Sequence, residues 1–228
     1  MYFKLSKLIK RIIEPVRFKY IKRYINKENS SYRILDIGCG SQSPALTKYW
    51  INTSEYHGVD NGYWEDDVEG YKDIDKFYML DLNDGLLDKI PEDHFDIIIL
   101  SHVIEHIKNG EFIISSLCSK LRRNGLIYIE TPSARTINYP SAIGFLNFYD
   151  DPTHIRCYHD SEILPALQNN NMKVMRIGCR CDLFRVIIFS PIAIIINLVY
   201  WLPFKRKICS HGLWDILCVS KIWIGVKK

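Results

Sequence analysis

Asp36, Gly38 and Gly40 stand in the run Arg33-Ile-Leu-Asp-Ile-Gly-Cys-Gly-Ser41, where an apolar stretch breaks into two glycines one residue apart. A buried strand that ends in a tight turn needs such a break, because glycine lets backbone turn sharply and pass close to a bulky group. A second run, Tyr56-His-Gly-Val-Asp60, ends in a carboxylate 24 residues after Asp36. A carboxylate at the tip of the strand beside a glycine turn suits the two hydroxyls of a ribose. Together these features point to a nucleoside-containing cofactor.

Two further clusters carry ionisable groups. His102, Glu105 and His106 crowd together, and Asp150-Asp-Pro-Thr-His-Ile-Arg156 follows later. In a helix, positions 102, 105 and 106 share a face, and two imidazoles with a carboxylate suffice to hold a divalent metal. His154, in a loop among charged neighbours, is the strongest single candidate for a general base. In the opposing reading Asp151 and Thr153 cap a turn and His154 packs beneath it. Arg156 and Tyr158 are candidates for contact with a hydroxylated ligand.

The elements that position these groups follow from the apolar pattern. Strands are predicted near 33–37, 56–60, 77–81, 95–100 and 126–131, with helices in the mid-40s, over 108–122 and over 161–169. Residues 65–75 are acidic and read as a loop. Alternation of strands and helices predicts an α/β fold, a mostly parallel sheet with helices on both faces. Ligands of such sheets sit outside the carboxyl ends of the strands, which gathers Gly38, Gly40, Asp60, Asp81, Ser101 and Thr131 around one crevice.

Several of these segments, in this order, resemble the motifs of class I S-adenosylmethionine (SAM) methyltransferases. Asp36-Ile-Gly-Cys-Gly40 looks like their first motif and Phe77-Tyr-Met-Leu-Asp81-Leu-Asn83 like their third strand. Phe95 to His106 is similar to the fourth motif, and Leu121 to Pro132 to the fifth strand with its preceding turn. The likeness spans roughly residues 30–180. One departure is that the family's third glycine is absent, with Gln42 near its position. The resemblance implies a Rossmann-like seven-stranded sheet with an antiparallel last strand. Residues 173–178 and 218–226 supply the sixth and seventh strands. It implies SAM as cofactor, held by Asp36, Gly38, Gly40, Asp60, Asp81, Leu82 and Ser101, with Asp81 at the adenine.

Methyl transfer from a sulfonium is an in-line displacement, so the protein must chiefly align the acceptor and, for a hydroxyl, remove its proton. His154 and His106 are the catalytic candidates, with no metal required. Glu-His pairs like Glu105-His106 also occur in ubiquinone-pathway and small-RNA 2′-O-methyltransferases. That likeness supplies the alternative of a metal held by His102, Glu105, His106 and His154, although His102 stands where those families place a glutamate. The Asp-Pro-Thr-His run resembles methyltransferases of surface-polysaccharide gene sets.

The chain of 228 residues fits one α/β domain with additions. A formal charge of +4 does not call for nucleic acid, and seven cysteines without framework spacing indicate reduced thiols in a cytosolic setting. Residues 1–29 read as a basic amphipathic helical extension, with Pro15 bending or restarting the helix. Residues 30–228 read as the methyltransferase domain. An apolar insertion at 185–207 interrupts it before the last strand, uncharged from Val186 to Phe204 and followed by Lys205-Arg-Lys207. A single membrane span there would put the sixth and seventh strands on opposite sides of a bilayer, which a shared sheet forbids. The expectation is peripheral contact with the inner membrane face through 1–28 and 186–207. Packing on the domain's own core, or a dimer interface, is the competing reading. The expected acceptor is a small molecule, a glycan or a lipid-linked hydroxyl. The alternatives are a metal-assisted RNA 2′-O-methyltransferase and a non-catalytic membrane-associated module.

Overall fold

The computed structural model describes residues 10–62, 68–84, 87–201, 208–209 and 214–228. Seven strands form one sheet: β1 (Tyr32–Ile37), β2 (Thr53–Asp60), β3 (Lys76–Met79), β4 (Phe95–Ser101), β5 (Leu121–Pro132), β7 (Met172–Cys179) and β9 (Ser220–Lys227). Their order is β3-β2-β1-β4-β5-β9-β7, while the two-residue strands β6 (Ala142–Ile143) and β8 (Ile208–Cys209) pair separately. β1 to β5 run parallel, and β9 is antiparallel to both β5 and β7. This is the Rossmann-like sheet expected, with its antiparallel last strand. Chain order reverses between β1 and β4, so the crevice opens at the ends of those strands. Both are apolar-rich and buried along nearly their whole length, as strands covered on two faces must be.

α1 (Val16–Tyr24), α2 (Ser43–Trp50), α3 (Gly110–Lys120) and α4 (Asp160–Gln168) pack on the two faces, and α5 (Leu183–Trp201) follows β7. Helical backbone runs through residue 13, breaks, and restarts after Pro15, the residue expected to do so. Phe18 and Ile21 on α1 are fully buried among Ile34, Tyr56, Ile97, Tyr128 and Ile222. The apolar face of α1 therefore belongs to the domain's own core and is closed to a membrane. Three of its cations are engaged too: Lys19 Nζ meets Asp182 Oδ2 at 2.5 Å, Lys22 Nζ meets Glu14 Oε1 at 2.7 Å and Arg17 donates to Ser43 Oγ at 3.1 Å. The first part of the expected extension, residues 1–9 with Lys4, Leu5 and Lys7, lies outside the described residues.

Three further differences bear on the site. β3 stops at Met79, so Asp81 leads into a 3₁₀ turn over Leu82–Asp84 rather than ending the strand. Within the stretch read as loop, Val68–Asp73 form a 3₁₀ turn, and 65–67 are outside the described residues. Residues 102–106 do not form an α-helix: His102 takes a left-handed φ of 58° and a short 3₁₀ turn, Ile104–His106, follows. The described part of the apolar insertion, through Trp201, folds as α5. No helix among the described residues is long and apolar enough to cross a membrane, and Lys205-Arg-Lys207 lie outside them.

Candidate active site

The glycine turn after β1 has the backbone that its residues require. Gly38 and Gly40 have φ of +66° and +52°, and a Cβ on Gly38 would sit 2.5 Å from Val103 Cγ2. Gly40 N donates to Asp60 Oδ2 at 2.9 Å, and Asn61 N donates to Asp60 Oδ1 at the same distance. The carboxylate at the tip of β2 is thus oriented by two backbone amides beside the turn. Asp81 closes its own turn, accepting from Asn83 N at 2.9 Å, and Leu82 packs its side chain against the core. Ser101 ends β4 half-buried. Two residues lie beneath the crevice: Asp36, which the resemblance placed among those holding SAM, and Thr131, grouped with the crevice by its position. Asp36 is 2 % exposed, and its Oδ2 accepts from Ser43 Oγ and Tyr56 Oη, both at 2.6 Å. Burial raises its pKa, against the opposing pull of Arg17 and these hydrogen bonds. It ties the strand end to α2 and β2. Thr131 is fully buried.

A strap over residues 151–158 is clamped to the 104–107 turn. Ile155 N donates to Glu105 O at 2.8 Å, while Tyr158 Oη donates to Ile107 O and accepts from Gly110 N, each at 2.7 Å. Tyr158 is therefore scaffold rather than an acceptor contact, and Arg156 is engaged with Glu162 and with Lys108 O. Asp151 Oδ1 accepts from Thr153 N at 2.8 Å, the capped turn anticipated as the bland reading. Even so, the clamp brings His154 to His106, with ring centroids 4.9 Å apart.

Both rings are held by carbonyl oxygens, which can only accept. His154 Nδ1 lies 2.6 Å from Phe148 O, and His106 Nδ1 lies 3.1 Å from Thr153 O and 3.0 Å from Thr153 Oγ1, whose hydroxyl already donates to Asp151 Oδ1. Nδ1 therefore carries the proton in each neutral ring, and Nε2 carries the lone pair. Glu105 completes the cluster: ligand atoms of Glu105, His106 and His154 all lie within 4.8 Å of one another. Its side chain is fully buried, and Oε2 has no hydrogen-bond partner. A cavity of about 260 Å³ opens here, walled by His102, His106 and His154 with Phe145, Phe148 and Trp214.

His102 stands apart from that trio. Its Nδ1 lies 3.1 Å from Glu105 Oε1 and its Nε2 lies 3.2 Å from Glu130 Oε1. Burial opposes charging this ring, but the two carboxylates prevail and raise its pKa to about 9. Burial alone would raise the Glu130 pKa. Arg180 at 3.0 Å, His102, and Tyr128 Oη at 2.7 Å instead hold it far below the usual carboxylate range. Arg180 in turn reaches Asp215, 3.7 Å away. Glu130, Arg180 and Asp215 escaped sequence reasoning because β5, β7 and the approach to β9 meet only through antiparallel pairing.

A glycine turn, an oriented carboxylate on the next strand and an imidazole-lined cavity, on a sheet of this order, define a class I SAM-dependent methyltransferase. Residues 8–177 match the methyltransferase-domain family, and the chain belongs to it. SAM is its methyl donor. Among curated proteins it is similar to the ubiquinone biosynthesis O-methyltransferase of Rickettsia bellii, 24 % identical over 173 residues that cover 71 % of each chain. The Hydrogenovibrio crunogenus enzyme of the same name is 27 % identical over 169 residues, covering 68 % of this chain and 64 % of that one. Among solved structures, a SAM-dependent methyltransferase from Archaeoglobus fulgidus aligns over 100 % of both chains with TM-score 0.57 and 21 % identity. One from Mesorhizobium loti gives 0.61 at 15 % identity, over 93 % of this chain and 98 % of that one. The chain is thus an enzyme rather than a non-catalytic module.

Proposed function

We propose that this methyltransferase methylates a hydroxyl on a saccharide or lipid-linked acceptor, working at the cytoplasmic face of a membrane. The observation that carries the chemistry is the 2.6 Å contact of His154 Nδ1 with Phe148 O, which leaves Nε2 as a proton acceptor beside the cavity. In this reading His154 takes the hydroxyl proton at Nε2, and His106, pinned in the same tautomer, hydrogen-bonds the acceptor. Phe145, Phe148 and Trp214 offer apolar faces on which a sugar ring or prenyl segment packs and excludes water. The O-methyltransferase names of the curated relatives agree with oxygen as the atom methylated.

The cofactor supplies an electrophilic methyl group on a sulfonium. The site fits such a ligand because Asp60, half-buried at the tip of β2 and oriented beside the glycine turn, presents a carboxylate for ribose hydroxyls. Gly38, Gly40, Asp60, Asp81, Leu82 and Ser101 would hold it, with Asp36 keeping the turn in place from below. Membrane contact rests on α5, where Leu183, Ile187, Ile194, Ile195 and Leu198 are each 61–75 % exposed. The cavity mouth lies near that helix, because Trp214 lines both the cavity and a cleft formed with Arg185 and Phe189 of α5.

A second reading is metal assistance through Glu105, His106 and His154. The unpartnered buried Oε2 of Glu105 favours it, since a cation satisfies such an oxygen and the Nδ1–carbonyl contacts are those of metal-bound imidazoles. His102, engaged between Glu105 and Glu130, is not part of that set. The test is transfer of labelled methyl from SAM to lipid-linked saccharides, free saccharides and RNA, with and without chelator. Transfer to the first two that resists chelation is expected. Transfer confined to RNA, or to none of them, overturns the acceptor assignment. Loss with chelator and recovery with a divalent ion establishes the metal reading.

A further inference from the structure

A second histidine–carboxylate cluster lies at the other end of the sheet, where parallel strands β2 and β4 begin. Glu55 and His57 point to the same face of β2, two residues apart, and His94 immediately precedes β4. Glu55 Oε1 lies 2.6 Å from His57 Nε2, and Glu55 Oε2 lies 3.0 Å from His94 Nε2. One ligand atom of each residue falls within 4.8 Å of the other two. His57 is buried while Glu55 and His94 are half-buried, so the cluster has a fixed floor and an open mouth.

We propose that Glu55, His57 and His94 form a binding site for a divalent transition metal of the zinc class, independent of the methyl-transfer site. Two imidazole nitrogens and one carboxylate oxygen are a zinc-type donor set, and the open side leaves room for water as fourth ligand. The rings need no proton lost to bind. With the metal absent each Nε2–H donates to Glu55; with it bound each proton moves to Nδ1. For His57 that proton finds a partner, since Tyr78 Oη lies 3.2 Å from Nδ1 and a hydroxyl accepts as readily as it donates. Burial lowers the His57 pKa, against the pull of Glu55, which keeps the ring neutral as a ligand must be.

His94 meets resistance: Arg33 Nη1 donates to its Nδ1 at 3.2 Å, favouring the metal-free tautomer. Arg33 has another anion to turn to, as its Nε lies 3.8 Å from Asp96 Oδ2. Lys76, whose ammonium lies over the Tyr78 ring, further opposes a cation, while Asp75 favours one. Arg33 therefore sets the affinity. Removing it strengthens a specific metal site and leaves adventitious binding unchanged.

The experiment titrates the full chain with Co²⁺ alone, followed by the visible absorption of four-coordinate cobalt, and then displaces it with Zn²⁺. One equivalent is expected, bound about tenfold more tightly by Arg33→Gln and at least about tenfold more weakly by His94→Gln and Glu55→Gln. Circular dichroism confirms that each variant is folded. Arg33→Gln retains every ligand and serves as the decisive arm if the others unfold. His154→Ala should leave the cobalt spectrum unchanged. Absence of a four-coordinate spectrum, indifference to Arg33→Gln, or loss of the spectrum in His154→Ala alone overturns the proposal.

Discussion

His102 Nε2 lies 3.2 Å from Glu130 Oε1, on an imidazole whose other nitrogen faces Glu105, so one ring bridges two buried carboxylates. The raised His102 pKa has a definite sign for stability. The folded protein holds the proton more tightly than the unfolded chain, so the stabilisation is complete below the ordinary imidazole value of 6.5 and disappears as pH rises through about 9. Denaturant unfolding of the wild type should therefore lose stability between about pH 7 and 10. His102→Gln should flatten that slope. At neutral pH it should cost about 3 kcal/mol, because removing one partner leaves buried charge uncompensated. An unchanged slope in the variant would show that other groups carry the dependence.

Gly38→Ala should be among the most damaging substitutions of a single methyl. A left-handed non-glycine residue costs about 1–2 kcal/mol, and the added Cβ would overlap Val103 Cγ2 at 2.5 Å. Thermal melting of Gly38→Ala and of Gly38→Ala/Val103→Ala separates the two effects. The double variant should recover the steric part and retain the conformational one.

The sheet was legible because its signal is local. Apolar-rich stretches such as Ile34 to Ile37 and Ile97 to Leu100 mark strands covered on both faces, and glycines mark the turn between β1 and α2. What escaped depends on contacts across the sheet. Asp36 lies in the glycine motif, yet its carboxylate faces inward to Ser43 and Tyr56. The spacing of His102, Glu105 and His106 suggested one helical face, and His102 left it by taking φ of 58°. The apolar periodicity of Leu5, Leu8, Ile9, Ile12, Ile13 and Val16 fits a core helix and a membrane helix equally well. Burial of Phe18 and Ile21 under the sheet decides that for α1.

Asp60→Ala should weaken S-adenosylhomocysteine binding by about 10- to 100-fold, the loss of hydrogen bonds worth roughly 1.5–3 kcal/mol to a charged acceptor. Asp60 Oδ2 also orients the turn through Gly40 N, 2.9 Å away, so Asp60→Asn is the sharper variant. It retains an acceptor for that amide and loses the charge. Calorimetric titration should show intermediate affinity for it, and equal affinity in all three proteins would remove Asp60 from the cofactor site.

His154→Ala should lower turnover about 10²- to 10⁴-fold, the usual range for a general base, with S-adenosylhomocysteine affinity intact. Phe148 packs on the same ring at 4.6 Å between centroids, so His154→Phe tests whether the ring matters only as filler. Restored folding without restored turnover is expected. Full activity in His154→Phe would move proton removal to His106 or Glu105.

The exposed face of α5 has a measurable consequence. Leu183, Ile187, Ile194 and Leu198 recur at helical spacing, so their side chains form one stripe rather than scattered apolar residues. Full burial of such a side chain is worth about 1.5–3 kcal/mol. Even partial insertion of four would therefore carry a protein onto vesicles. Ile194→Glu should reduce sedimentation with vesicles of mixed neutral and anionic lipid at least about tenfold. Because Ile194 is 61 % exposed, the melting temperature should barely change. A wild type that ignores vesicles but becomes monomeric on Ile194→Glu in gel filtration would assign the stripe to a second copy of the chain. The acceptor would then reach the cavity from solution, and lipid-linked acceptors would lose their advantage over soluble ones in the transfer assay.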